Sequence, residues 1–248
     1  MTLVEIGTDE ALNSIERDKL KEFISSMKQS NGSFCVHEDG EIDIGTDEAL
    51  NSIERDKLKE FISSMKQSNG SFCVHEDGEI DVRAVYCAFT VSYLCNLSNL
   101  EELFEGSSAW LTRCQTYEGG FGGEPGCESH GGYTFCALAT FALMQKMYLI
   151  DTQSALRWLV FRQMKLEGGF QGRTNKLVDD LEINLKSIQV DLYHTCYALS
   201  GLSIAQSFAK TNEEIIGGEI NLLEPIHPLL NVTKNAYEKA FDYFDKLK

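Results

Sequence analysis

The stretch YEGGFGGEPGCESHGGYTFCALA, from Tyr117 to Ala139, decides the fold. It opens on a glycine pair and Phe121, crosses a polar loop, and turns at His130 into an apolar run. A phenylalanine behind a glycine element recurs 49 residues to either side, at Phe72 after Gly70-Ser71 and at Phe170 after Gly168-Gly169. The same interval relates Asp81, His130 and Asp179, and it relates Cys87 to Cys136 within YCAF and FCAL. Spacing is kept while identities drift, which marks a diverged structural repeat.

Amphipathic segments precede the glycine elements: Asp56 to Lys66, Leu100 to Thr116, and Thr152 to Leu166. Leu58, Phe61, Ile62 and Met65 share one apolar face, as do Leu156, Leu159, Val160 and Met164. A glycine after such a segment supplies the left-handed residue that closes a helix. A second helix follows, as in Tyr133 to Tyr148 and Tyr193 to Ala209. Each repeat is expected to be helix, glycine-rich loop, helix. Stacked αα hairpins give an all-α chain, either a solenoid or a closed α/α toroid.

A second repeat is of another kind. Ile6 to Asp43 recurs unchanged as Ile44 to Asp81. Surface positions of an old repeat diverge at little cost. Perfect identity therefore points to a recent duplication, a cloning event or a gene-model error, not to an architectural period. Residues 1–43 read as a duplicated half-repeat with one additional helix, Ser14 to Lys28, and 44–248 as the repeat domain. Inside that domain the period fails once. Asp191-Leu192-Tyr193-His194-Thr195 parallels His130-Gly131-Gly132-Tyr133-Thr134, yet Asp191 lies only 12 residues past Asp179. About a helix and a glycine loop are missing near 179–191.

The 248 residues carry 38 acidic against 22 basic side chains, a formal charge of −16, with 43% hydrophobic content. That excludes a broad nucleic-acid surface, which needs clustered Lys and Arg. One small basic pocket stays compatible with it. No run of 18 apolar residues occurs, so no integral membrane span is expected. The first residues carry no export signal, so the expected location is cytoplasmic. The eight cysteines form no C-x-x-C pair and are expected to be reduced and mostly buried.

Asp81, His130, Asp179 and Asp191 hold the same position, just before a second helix. Polar residues gather around it: Arg83; His130 with Tyr133; Arg173 and Lys176 with Asp179; Tyr193 with His194. His130, Arg173 and Lys176 suit a polyanionic leaving group, since guanidinium and ammonium groups pair strongly with phosphate oxygens. Helix N-termini add partial positive charge there. Asp179 and His194 offer oxygen and nitrogen donors of the kind zinc takes. The plainer reading of Asp81 and His130 is as helix caps.

These blocks carry a resemblance. YEGGFGGEPGCESHGGYTFCALA, EGGFQGRTNKLVD (Glu167 to Asp179), DGEIDVRAVYCA (Asp77 to Ala88) and DLYHTCYALSGLSIAQ (Asp191 to Gln206) closely resemble the β-subunit family of protein farnesyltransferase. The tail LLEPIHPLLNV (Leu222 to Val232) is similar to that family's C-terminal segment. The resemblance implies an α/α toroid and zinc-dependent transfer of farnesyl from farnesyl diphosphate to the cysteine of a C-terminal CaaX motif. It also implies an α-subunit partner in a heterodimer. By the same resemblance, His130, Gly131, Gly132 and Tyr133 belong to the diphosphate site. Arg173, Thr174, Asn175 and Lys176 belong to the loop that grips the same group. His130, Arg173 and Lys176 are its catalytic residues, with Mg2+ assisting departure of diphosphate. Asp179 and His194 match two zinc ligands, and Arg83, Tyr86, Cys136 and Tyr193 match the lining of the isoprenoid and peptide cavity. The type I geranylgeranyltransferase β subunit is the near alternative, and a non-catalytic interaction module the distant one.

The chain departs from the family after Asp179. Gly-Cys-Tyr and an aromatic cluster are expected there, whereas the chain reads Asp180-Leu181-Glu182. The cysteine ligand position falls on Leu181, which cannot bind zinc. A tyrosine for the diphosphate and a tryptophan for the isoprenoid are lost with it. The 49-residue period fails at the same place, so a catalytically defective β-like chain is expected.

Overall fold

The computed structural model describes residues 50–51, 53–163, 171–175, 192–208 and 222–247; for 192–199 it describes the backbone only. The helix expected at Ser14 to Lys28, together with Lys176 and Asp179, lies outside the described residues. Eight α-helices are described: α1 (Arg55–Met65), α2 (Val82–Leu94), α3 (Leu100–Leu103), α4 (Ser107–Arg113), α5 (Gly131–Leu143), α6 (Thr152–Val160), α7 (Leu192–Ser207) and α8 (Lys234–Asp245). A 3-10 turn spans Met147–Leu149, and two-residue strands β1 (Ile226–His227) and β2 (Val232–Thr233) pair antiparallel. The chain divides into two compact units, residues 62–93 with 97–189, and residues 1–61 with 94–96 and 190–248.

In the first unit the 49-residue period reappears as a hydrogen-bond pattern. After α1 the chain doubles back: Gln67 N–H donates to Ser71 O at 2.8 Å, and Cys73 N–H to Met65 O at 3.0 Å. After α4 the counterparts do the same, Thr116 to Gly120 at 2.9 Å and Gly122 to Cys114 at 3.0 Å. The glycines therefore do not close the helices, as the sequence suggested. They turn a short antiparallel bridge, Lys66 with Phe72 and Gln115 with Phe121. Gly70 and Gly119 sit at φ +89° and +107°, where L side chains are strained, and neither has room for a Cβ. A methyl on Gly70 would overlap the backbone of Gly106, and one on Gly119 the carbonyl of Ser154. Each turn is thus pressed against the start of the next repeat's first helix.

The turn delivers its phenylalanine to the core. Phe72 and Phe121 are fully buried. Phe72 stacks on Phe104 with ring centroids 5.0 Å apart, and Phe121 lies 6.1 Å from Phe141. The Phe121 N–H donates to Thr134 Oγ1 at 2.9 Å, locking the turn to α5. Losing such a buried ring costs about 3–5 kcal/mol.

Three helices are shorter than their patterns. The segment Leu100 to Thr116 breaks into α3 and α4 at Gly106, which holds φ +82°. The second helix of that repeat starts at Gly131 and stops at Leu143, with Gln145 left-handed beyond it. α6 ends at Val160. Cysteines also differ from expectation: among the described ones Cys95 and Cys114 are buried, Cys73 and Cys136 half-buried, and Cys87 and Cys127 exposed.

In the second unit, α8 is capped by Thr233, whose hydroxyl accepts from Ala236 N–H at 3.2 Å. The Tyr243 hydroxyl donates to Asn51 Oδ1, and Arg55 lies 5.8 Å from the Phe244 ring centroid. Ser203 of α7 donates to the Glu224 carbonyl at 2.6 Å, which ties the hairpin segment to that helix. Strands this short leave no alternation to read in the sequence.

Candidate functional site

The positions before α2 and α5 are caps, as the plainer reading held. Asp81 Oδ1 accepts from Arg83 N–H at 2.7 Å, and 49 residues on His130 Nδ1 accepts from Gly132 N–H at 3.1 Å. Because Nδ1 takes an amide, the neutral His130 ring carries its proton on Nε2, as a donor.

A rung joins successive repeats. Val82 N–H donates to Gly123 O at 2.9 Å, and Gly131 N–H to Gly172 O at 2.8 Å. The second rung sets the loop bearing Arg173 beside the start of α5. The amides of Gly131 and Gly132 are thereby occupied, so the helix start offers an anion its field more than its first two donors. Binding would fall mainly on side chains.

Around this start the aromatic and cationic groups converge. The His130 and Tyr133 rings lie 5.4 Å apart, and the Arg83 guanidinium is 5.5 Å from the Tyr133 ring centroid. Arg83 also pairs with Asp81 at 2.5 Å and Glu79 at 2.9 Å; the Asp81 hydrogen bond strengthens its hold on its proton. Tyr86 meets Phe135 edge-on with centroids at 5.6 Å. Burial pushes the Cys136 thiol up to about 12, with Cys87 adding to the effect. Cys136 is therefore a neutral wall residue and not a nucleophile.

Arg173 faces Glu128 at 3.9 Å, both about half exposed. Asn175 lines a cavity of about 500 Å3 between the turn at Gln115–Glu118 and the loop Gly126–Glu128. Thr174 accepts a hydrogen bond from the indole of Trp158 at 3.2 Å, and Gln171 N–H donates to Arg162 O at 2.8 Å. Trp158 and Arg162 escaped the sequence reading, although Trp158 follows Trp110 by 48 residues where the phenylalanines keep 49. The sequence interval closed by the backbone bond is one residue longer after α6: nine from Arg162 to Gln171, eight from Cys114 to Gly122.

The structure thus brings together His130, Gly131, Gly132, Tyr133, Arg173, Thr174 and Asn175, with Arg83, Tyr86 and Cys136 on and around α2 and α5. Lys176 and Asp179 lie outside the described residues. Tyr193 and His194 are in the first turn of α7, in the other unit, where only the backbone is described.

The resemblance matches Asp179, Leu181 and His194 to the zinc-ligand positions, and their side chains lie outside the described residues. Catalytic zinc sites use three protein donors. Here the matching positions hold Asp179, His194 and the hydrocarbon of Leu181. Among the described residues no three His, Cys, Asp or Glu side chains gather to hold a metal.

The chain matches the prenyltransferase alpha-alpha toroid domain over residues 1–47, 44–180 and 184–232. It belongs to the prenyltransferase α/α-toroid family. It is 32% identical to the protein farnesyltransferase subunit beta of Pisum sativum, over 99% of this chain and 75% of that protein. The geranylgeranyl transferase type-1 subunit beta of Arabidopsis thaliana is 40% identical, but over only 40% of this chain and 28% of that protein. The solved structure of Candida albicans protein geranylgeranyltransferase-I complexed with GGPP shares the fold. Its TM-score is 0.57 at 22% identity, covering 92% of this chain and 68% of that one. This is an enzyme family, and farnesyltransferase β subunits are among the relatives that run the length of the chain.

Proposed function

We propose that this chain is a farnesyl-diphosphate-binding β subunit that works with an α partner, and that its transfer step is impaired. The observation that carries the reading is the rung from Gly131 to Gly172, which holds the HGGY helix start against the GRTN loop. His130, Arg173 and Lys176 would receive the diphosphate and take up charge as it leaves, in a setting where fixed cations stabilise developing anionic charge. Mg2+ would share that task. Tyr133, Arg83, Tyr86 and Cys136 would line the isoprenoid and peptide cavity that the family resemblance implies. A CaaX thiol is the acceptor that this family chemistry implies.

Impairment follows from Leu181. Removing even an outer partner of a zinc ligand costs about 10–100-fold, so replacing a ligand costs at least that. The family match runs over 44–180 and 184–232 and leaves Leu181 unmatched. Alignment to the Pisum sativum relative runs over 356 positions against 248 residues here, as a chain with segments missing would require.

The test uses the chain purified with its α partner. Farnesyl diphosphate is expected to bind and to outcompete geranylgeranyl diphosphate, with zinc well below one per heterodimer and little CaaX turnover. Preference for the longer lipid would move the assignment to the geranylgeranyl branch. Stoichiometric zinc with rapid turnover would overturn the impairment. A chain that binds neither lipid would be the interaction module.

A further inference from the structure

We infer that Trp158 is a positioning residue for the diphosphate loop, holding it in its binding shape through the bond from its indole N–H to the Thr174 hydroxyl. This deepens the proposed function and rests on it. The loop Gln171–Asn175 is held at three of its five residues. Gln171 N–H donates to Arg162 O at 2.8 Å, Gly172 O accepts from Gly131 N–H at 2.8 Å, and Thr174 Oγ1 accepts from Trp158 Nε1–H at 3.2 Å.

The first two bonds are backbone bonds with counterparts one repeat earlier, Gly122 to Cys114 and Val82 to Gly123. The third has none. Forty-nine residues before Thr174 stands Pro125, which has no hydroxyl, although Trp110 occupies the place of Trp158. The same comparison sets His75 and Glu124 against Arg173. The side-chain clip and the cation therefore enter together, in one repeat.

Trp158 is itself fixed. It is buried, and a Cβ on Gly120 would press into its ring at 2.8 Å. The buried Arg162 guanidinium lies 5.4 Å from the ring centroid. An immobile donor fixes Thr174, and Thr174 sits next to Arg173. Ordering of the loop is then completed on folding and not charged against ligand binding.

Three substitutions test this in the chain with its α partner. Thr174→Val removes the acceptor at nearly equal volume, Trp158→Phe removes the donor while keeping an aromatic ring, and Thr174→Ser restores the hydroxyl. With inorganic pyrophosphate as probe, Thr174→Val is expected to raise the Kd about two- to tenfold, the worth of one net hydrogen bond. Thr174→Ser should return it to the wild-type value. The Trp158→Phe, Thr174→Val double variant should be no weaker than the worse single one. Amide exchange over 171–175 should quicken in Thr174→Val on the full chain, with or without ligand. Unchanged exchange and unchanged Kd would overturn the positioning role. Wild-type protein that binds no pyrophosphate would sink the functional reading instead, and the exchange measurement would still decide whether Trp158 holds the loop.

Discussion

The second and third repeats share two backbone hydrogen bonds and differ in the chemistry they carry. Both carry a buried tryptophan on the first helix, Trp110 and Trp158, and both send a glycine carbonyl, Gly123 or Gly172, to the start of a helix in the repeat before. The second repeat spends its loop on structure, with Glu124, Pro125 and a left-handed Gly126. The third fills the same places with Arg173, Thr174 and Asn175, a cation, a hydroxyl and an amide. Backbone bonds hold the frame, so the loop side chains are at liberty to diverge toward ligand chemistry. The helix faces diverge too. Ser108, Thr112 and Arg113 of the second repeat are matched by Leu156, Val160 and Phe161, which are largely exposed.

The largest expected effect breaks the shared frame. Phe121→Ala empties a fully buried site and should destabilise by about 3–5 kcal/mol in denaturant melts. A loss below about 1 kcal/mol would show that the turn phenylalanine is not the anchor of the repeat. Next comes the contrast between two glycines of the second repeat. Gly119→Ala must overlap Ser154 as well as adopt φ +107°, and should cost about 3 kcal/mol. Gly126→Ala meets open space at φ +89°, leaving only the conformational cost of about 1–2 kcal/mol. Equal losses would mean that the close approach between repeats carries no energy.

Much of this frame was legible in the residues. Phe72 and Phe121 were found from spacing because a core position tolerates few substitutions, and Asp81 and His130 because caps favour short polar side chains. The break at Gly106 was not, since an apolar period running from Leu100 to Leu111 reads the same whether one helix or two present it. The longer interval after α6 was visible as the step from 48 to 49 between the tryptophans and the phenylalanines, but phenylalanine spacing alone hid it. The clip on Thr174 was illegible for a different reason: a hydrogen bond between residues 16 apart leaves no periodic trace. The zinc-ligand positions that the resemblance implies begin at Asp179, the last residue the period reaches, and continue at Leu181 where it is lost, so pattern reasoning had nothing to extend.

The two repeats also start their first helices differently. α4 begins at Gly106 with no side-chain cap, while α6 begins at Asp151, whose carboxylate accepts from Ser154 N–H at 2.9 Å and from its hydroxyl at 2.6 Å. Those bonds from Ser154 hold the Asp151 carboxyl below its ordinary 3.8. A carboxyl depressed in the folded state stabilises above its unfolded pKa, and the contribution is lost as pH falls through the lower, folded value. Asp151→Ala should therefore melt earlier than wild type at pH 7, with the gap closing below pH 3.8. A gap that persists in acid would assign the effect to packing.

The smallest effect probes the loop chemistry that separates the repeats. Glu128 belongs to the second repeat and pairs with Arg173 of the third at 3.9 Å, with both side chains about half exposed. Exposed pairs are worth about 0–1 kcal/mol, because water screens them and both side chains lose freedom. Stability should hardly change in Glu128→Gln. Under the proposed function, however, pyrophosphate would compete with Glu128 for the same guanidinium. Removing the carboxylate deletes both a competitor and a repulsion, so the Kd should fall, by about twofold at low salt. The gain should vanish as salt rises and the Debye length shrinks toward about 3 Å at 1 M. Tighter binding that survives high salt would place the effect in loop shape and not in charge, and would tie Glu128 to the frame the two repeats share.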